Sequence, residues 1–587
     1  MATKRRSTST GSDMPITIQP RRVLLLMVVL LALLGAVGAR TIYLQSVKNR
    51  MLTKYAQGQQ QNTQTLPAVR GDILDRTGQE LAVGEEAVTF YGTPKLLGKN
   101  RAGTALQVSK ILGLSRHEED LLVDRLTNAE GGFVYVARQI PRDKAKELQD
   151  AKLPGIGWYD EERRMYPVGA TAGQLIGTVD IDNKGLTGLE LLYDRSLTGT
   201  PGKQVAVNDP AGVPIDVLQL RRERDGRDVQ LTLDVKIQRE AERVLQRTVR
   251  QFQARSATAI VMDPRTGEIL AMAGVPRVNP AKWSSAGSLA TRNTAITDTY
   301  EPGSTFKVVT VSAALEEGVT TPETEYWLKN ELRFCKDDKT CLLHDSHDRP
   351  AGWFTTRDIL VESSNIGTVT LAQRIRDAHL RRGEGGNAAI DSWIRRFGFG
   401  APSGIDFPGE SYGIMTPVKD WSDVSIGNIP IGQGIAVTPM QLIDAYAAIA
   451  NDGVMVQPHL LKRIGDEPPA KYTSRRVISS KTAATMRSMF EAVVTDDHGT
   501  GKQAGIKGYS VAGKTGTANV AERGIYLKGQ YIASFVGFVP ARNPRLVTLV
   551  VVNRPQKGAY GGTVAAPAFE QITKFALEYL AIAPDGR

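Results

Sequence analysis

Cysteine is nearly absent: 587 residues hold two, Cys335 and Cys341. That excludes a fold stapled by disulfides, so stability must come from buried apolar surface. Three readings of the pair stay open: a local disulfide, two free thiols, or, with His344 and His347, a zinc site. Histidine is scarce too, with six in the chain, none in a recognised catalytic setting and no H-E-x-x-H pair. The helical zinc-hydrolase arrangement is thereby removed, and no metal or cofactor is expected. Internal repeats are lacking, and so is a basic stripe interleaved with aromatics, which form only 6% of the chain. The formal charge of +11 is therefore weak support for nucleic-acid binding. It suits a chain working beside anionic lipid or polymer.

What is present is an ordinary globular composition, 41% hydrophobic and 23% charged, with 57 glycines and 29 prolines marking many turns. The length asks for more than one domain. One segment decides location: Val23 to Ala39 is apolar without interruption. At about 1.5 Å per residue it makes roughly 25 Å of helix, a little short of a hydrocarbon core of about 30 Å. Arg22 and Arg40 can snorkel, and Ile42, Tyr43 and Leu44 extend the face, closing the gap. Lys4, Arg5, Arg6, Arg21 and Arg22 precede the run. The positive-inside rule thus puts the N-terminus in the cytoplasm and everything after Arg40 outside. The rival is a signal peptide cleaved near Val37-Gly38-Ala39, although such h-regions span only about 7–15 residues. No second run of this kind follows.

The expected organisation is a cytoplasmic tail (1–21), a transmembrane anchor (22–45), an elongated mixed domain (46–226) and a catalytic domain (227–587). Residues 46–65, Gln-rich and polar, read as an exposed helix or stalk. Charged, Gly-containing sequence around Arg221–Arg227 marks the boundary. Beyond it Val229–Leu233 alternates as a strand, and Asp234 opens a helix as an acidic cap. Ser256–Val275 reads as a β-hairpin turning at Pro264-Arg265-Thr266-Gly267. Two further strands and an amphipathic helix, Ala565–Ala581, close the chain. Strands at both ends with helical sequence between give an α+β domain whose antiparallel sheet joins N- and C-terminal pieces.

Acyl transfer by a serine needs a base and an oxyanion site. Ser304-x-x-Lys307, the one S-x-x-K in the sequence, sits where Pro302-Gly303 opens a helix. One turn apart, the two side chains share a face, and a lysine partly buried there can lose its proton and take the serine's. Alone this is as readily a helix start with a solvent lysine. Ser363-Ser364-Asn365 follows in a loop-to-helix setting, and Lys514-Thr515-Gly516-Thr517 on an edge strand. Each alone is an ordinary cap or turn; the three in this order are a signature of serine acyl-transferases that β-lactams acylate.

On these motifs the sequence resembles the penicillin-binding protein and β-lactamase superfamily, and over nearly its whole length the class B penicillin-binding proteins. The anchor, Arg70-Gly71-Asp72-Ile73-Leu74-Asp75-Arg76, Arg163-Arg164-Met165-Tyr166-Pro167, Gly185–Glu190, Gly432–Pro439 and Tyr560-Gly561-Gly562 carry the likeness. It is most similar to the septal, cell-division transpeptidase. The resemblance implies a transpeptidase domain on a pedestal of the dimerisation type, in the bacterial cell membrane, acting on D-Ala-D-Ala stem peptides. Ser304 is then the nucleophile, Lys307 its base, and Ser363 the proton carrier to the leaving amine. Lys514 tunes that network, and Asn365 holds Lys307 and the substrate. Thr515, Gly516 and Thr517 bind substrate, and the Ser304 and Thr517 N–H groups form the oxyanion hole. A polytopic glycosyltransferase and division proteins are the implied partners. A D,D-carboxypeptidase, a β-lactamase, a β-lactam-sensing receptor and an inactive scaffold remain rivals. The first uses water as acceptor, the second needs a deacylating carboxylate, and the receptor needs more membrane segments. Arg70, Asp72 and Arg76 read as structural salt-bridge and turn residues.

Overall fold

The computed structural model describes residues 20–46, 48, 61–66, 68–130, 132–208, 214–333, 342–346, 349–522 and 524–586. Cys335, Cys341 and His347 lie outside these residues, as does most of the Gln-rich stretch. Two compact units form, one from residues 1–67 and 201–223, the other from 68–200 and 224–587. The first contains the helix Pro20–Ser46, long and apolar enough to cross a membrane and with none of its residues buried. It also contains an antiparallel sheet of Gln61–Leu66, Gly202–Asn208 and Pro214–Arg221. The end of the Gln-rich stretch is thus a strand, where a helix or stalk was expected. Its partner lies far along the chain (Gln61 opposite Val207).

In the second unit a five-stranded antiparallel sheet runs in the order Ile269–Val275, Ser256–Met262, Leu546–Asn553, Ile525–Val539, Ala512–Glu522. Both faces are buried, and the period of two sorts them. Ala259 and Val261 pack with Val550 and Val552 against the helices Val235–Phe252 and Ala566–Tyr579. Ile260 and Met262, with Leu549 and Val551, belong to a second core that includes the helices Lys307–Glu316, Pro439–Ala450 and Ser480–Thr495. Asp234 caps its helix by accepting from the Lys236 and Ile237 N–H groups, as its sequence position implies.

A second sheet of six strands holds the pedestal elements, Ile73–Leu74, Glu80–Gly92, Val134–Pro141 and Ile156–Met165, together with Val229–Leu231 and Leu461–Ile464. Val229–Leu231 pairs in parallel with Ile73–Leu74 and antiparallel with Leu461–Ile464. The strand that follows the charged Arg221–Arg227 stretch therefore continues the pedestal sheet, and packing does not break at that point. Nearby, Arg70 is 3% exposed and donates from Nε and Nη2 to Glu190 Oε2 (2.9 and 2.7 Å) and from Nη1 to Asp194 (2.8 Å). Arg164 Nε donates to Glu190 Oε1 at 2.7 Å. Glu190 thus sits, fully buried, between two arginines. Arg76 lies 3.8 Å from Glu268, a long ion pair between half-exposed groups.

Candidate active site

Ser304 stands in a 3-10 turn, Gly303–Phe306, that feeds directly into the helix Lys307–Glu316. Gly303 has φ +56°, a left-handed conformation, and a Cβ there would lie 2.8 Å from the Thr517 carbonyl oxygen. The turn is held on all sides. Gly303 N–H donates to the Gly432 carbonyl (3.0 Å), Thr305 Oγ1 to the Pro302 carbonyl (2.8 Å), and the buried Tyr446 hydroxyl to the Thr305 carbonyl (2.8 Å). The Ser304 side chain, half-buried where the rest of the turn is buried, faces a cavity of about 560 Å³ that Gly303 also lines.

Lys307 is completely buried at the head of the helix. Its Nζ donates to the Ser363 carbonyl (2.6 Å), to Asn365 Oδ1 (2.8 Å) and to Ser363 Oγ (3.3 Å). Burial brings its pKa down to about 7, and the Asp345 carboxylate opposes that fall. Among the described residues no hydrogen bond joins Lys307 to Ser304, although the sequence places them one turn apart. Three donors meeting three acceptors is the arrangement of an ammonium group. Once a proton is lost, one lone pair becomes free to turn toward Ser304. Ser363 adopts φ +61°, rare for a residue with a side chain, and this strained backbone sets its hydroxyl between two lysines. Lys514 Nζ donates to the same Oγ at 2.9 Å. It too is fully buried, and burial with the neighbouring Lys307 charge holds it well below the usual lysine range.

The Lys514-Thr515-Gly516-Thr517 segment lies on Ala512–Glu522, the edge strand of the five-stranded sheet, beside the nucleophile turn. A Cβ at Gly516 would collide with Ser534 Oγ and come 2.8 Å from Thr305 Cγ2, so only glycine lets strand and turn approach this closely. The Thr517 carbonyl faces Gly303. Since the N–H and C=O of a strand residue point to one side, its N–H faces the nucleophile turn as well. Thr515 Oγ1 donates to Thr500 Oγ1 at 2.9 Å, and Thr517 Oγ1 accepts from the Gly561 N–H at 3.1 Å. The fold therefore brings Ser304, Lys307, Ser363, Asn365, Lys514, Thr515, Gly516 and Thr517 together, all but Gly516 joined by the hydrogen bonds above or lining one cavity.

Several neighbours carry no motif and escape a reading of the sequence. Asp345 accepts from Asn365 N–H (2.5 Å), Ile366 N–H (3.0 Å) and Ser364 Oγ (3.0 Å), and pairs with Arg349 at 2.5 Å. It caps the helix Asn365–Arg381 from outside and fixes the Ser-Ser-Asn segment. Thr500, Lys502, Gln433, Tyr531 and Tyr560 line the same cavity. The signal in the sequence was partial: Gln433 and Tyr560 fall within family-like stretches, the rest do not. Another serine, Ser411 in Gly409-Glu410-Ser411-Tyr412-Gly413, fits G-x-S-x-G, but it sits in a loop before the two-residue strand Ile414–Met415 and not on a strand-to-helix elbow. Among the described residues no group of three His, Cys, Asp or Glu side chains converges as a metal site.

A serine on an open cavity, a buried lysine of lowered proton affinity behind it, and an edge strand beside it can together carry acyl transfer. Known proteins are similar to this chain over most of its length. Residues 257–574 match the penicillin binding protein transpeptidase domain, and residues 65–231 match the penicillin-binding protein dimerisation domain. Stage V sporulation protein D of Bacillus subtilis is 33% identical over 97% of this chain and 87% of its own length. The peptidoglycan D,D-transpeptidase FtsI of Escherichia coli is 33% identical over 95% of this chain and 91% of its own. Among solved structures, penicillin binding protein 3 of Mycobacterium tuberculosis, complexed with aztreonam, superposes with a TM-score of 0.68 at 28% identity, covering 89% of this chain and 98% of that one. The chain belongs to the penicillin-binding proteins that join a dimerisation domain to a transpeptidase domain.

Proposed function

We propose that the chain is a peptidoglycan D,D-transpeptidase, cross-linking stem peptides through an acyl-enzyme on Ser304 and inhibited covalently by β-lactams. The observation that carries this is the buried Lys307–Ser363–Lys514 hydrogen-bond chain beside Ser304 at the mouth of one cavity. Neutral Lys307 takes the Ser304 proton as Oγ attacks the penultimate D-Ala carbonyl carbon. The oxyanion forms against the Ser304 and Thr517 N–H groups, each such donor lowering the barrier by about 3 kcal/mol. The C–N bond to the terminal D-Ala breaks, and its nitrogen receives a proton through Ser363, with Lys514 tuning the relay. An amine of a neighbouring stem then attacks the ester carbonyl, the ester bond breaks, and Ser304 regains its proton. Asn365 keeps Lys307 in place and meets the substrate backbone; Thr515 and Thr517 hydroxyls hold the terminal carboxylate, with Gly516 giving the strand its close approach.

The same reading makes Pro20–Ser46 a single-pass anchor in the bacterial cell membrane, N-terminus cytoplasmic, with residues 46–226 as pedestal and 227–587 as the catalytic domain outside. Arg21 and Arg22 at the start of the helix support that orientation. Septal wall synthesis is the process, beside a polytopic glycosyltransferase and division proteins; likeness to a peptidoglycan D,D-transpeptidase named FtsI supports it. Supplied with a D-Ala-D-Ala pentapeptide precursor already polymerised into glycan, the protein releases D-Ala and yields cross-linked dimers in equal amounts. D-Ala release without dimers would instead establish a carboxypeptidase.

A further inference from the structure

A second cavity, of about 200 Å³, shares no lining residue with the first. Asp444, Gln441, Ser403, Gln457, Met455 and Arg475 contribute to its wall. Asp444, on the helix Pro439–Ala450, is 4% exposed, and its Oδ1 has no hydrogen-bond partner. Buried polar atoms left in this state are rare and ask for an occupant. Arg475, exposed and on the same wall, gives Nη1 to the Arg396 carbonyl (2.5 Å) and Nη2 to the Met455 thioether (3.2 Å), the second a weak acceptor. Neither group forms an ion pair among the described residues, although each feels the other's charge. One wall thus holds a carboxyl group with an unpartnered oxygen and a guanidinium that has one carbonyl and one thioether acceptor but no carboxylate.

The charges restrict what fits. A simple anion would face Asp444 and the nearby Glu410 carboxylate. A simple cation would meet the Arg475 charge and leave its Nη2 with the thioether. A zwitterion meets both, through charge-assisted hydrogen bonds at each end. The volume is several times the roughly 30 Å³ share of one water and below the 300–1,000 Å³ or so of drug-sized pockets. We propose that this cavity binds a small free amino acid, its ammonium on Asp444 and its carboxylate on Arg475. Burial and the Glu410 charge push the Asp444 proton affinity up, and the Arg475 charge opposes them.

The helix gives the site a consequence. Residues two apart on a helix project about 200° apart, so Tyr446 faces away from the cavity that Asp444 lines. Its hydroxyl is the one bonded to the Thr305 carbonyl, next to the nucleophile. The cavity and the nucleophile turn thus lie against opposite faces of one helix. The D-Ala expelled in the proposed reaction is one member of this ligand class, but binding itself does not depend on that reading.

The test is saturation-transfer difference NMR on the full chain in detergent micelles, with glycine, D-alanine and L-alanine as ligands and ethylamine and acetate as half-ligands. It is run before and after benzylpenicillin treatment, with the adduct checked by mass. The expected result is alanine binding that survives acylation, weakens at least tenfold in both Asp444→Asn and Arg475→Gln, and exceeds either half-ligand at least tenfold. Absence of signal at about 20 mM amino acid, loss of signal on acylation, or wild-type binding by both variants would overturn the proposal. Failure of the adduct to form counts against the transpeptidase reading alone, because the two variants still decide the cavity.

Discussion

Lys307 sets the pH behaviour of the site. With its pKa near 7, acid keeps it an ammonium bound to Ser363 and Asn365, and the base is lost; as pH rises through about 7 the amine is freed. Acylation by a chromogenic cephalosporin, followed by stopped flow, should therefore rise about tenfold per pH unit below that point and level off above it. Lys307→Arg, which keeps the charge but cannot release a proton, should lower the plateau by about 10²–10⁴-fold. A flat profile in the wild type would remove Lys307 as the base. The residues that meet at the candidate site were legible because they fall in three short motifs. Asp345 and Thr500 were not. Each matters only because the fold carries a segment, the end of the strand Leu342–His344 or the loop 499–501, against a motif it does not adjoin in sequence.

At the scale of elements, the active site is a meeting of a helix head, a helix N-terminus and an edge strand, each held by one contact that can be removed. Asp345→Asn weakens the outside cap of the helix Asn365–Arg381 and the pull on Lys307. It should cost about 0.5–2 kcal/mol of stability in urea unfolding and slow acylation, while leaving the far-UV spectrum unchanged. Gly516→Val places a side chain where Ser534 and Thr305 already stand. Strand and turn then separate, and acylation should fall by at least 10²-fold while the protein stays folded, since a misplacement of about 1 Å costs that much. Elements with a local signature were read correctly, as with the Asp234-capped helix and the Ser256–Val275 hairpin. The strand Gln61–Leu66 was not. Its sequence is polar and its partner, Gly202–Asn208, lies beyond the reach of any local pattern.

For the whole molecule, the apolar helix Pro20–Ser46 should keep the chain in the membrane pellet after alkaline carbonate extraction, and removing it should release a soluble protein that still binds penicillin. A cleaved signal peptide would give mature protein lacking that helix by N-terminal sequencing. In the pedestal, Glu190→Ala would leave Arg70 and Arg164 buried without their shared carboxylate. Breaking such a pair costs about 3–5 kcal/mol, enough to lower Tm by several degrees without touching the catalytic cavity. The paired motifs of pedestal and catalytic region were visible in the sequence; that one sheet runs through both was not, because the joining strand Val229–Leu231 is only three residues long. The central claim is a serine acyl-enzyme at Ser304. Its most direct test is the intact mass of the full chain incubated with benzylpenicillin, followed over hours and mapped by peptide digestion. A stable one-to-one adduct on the Ser304 peptide, absent in Ser304→Ala, is the result required; an adduct elsewhere, one retained in Ser304→Ala, or none on folded protein would contradict it.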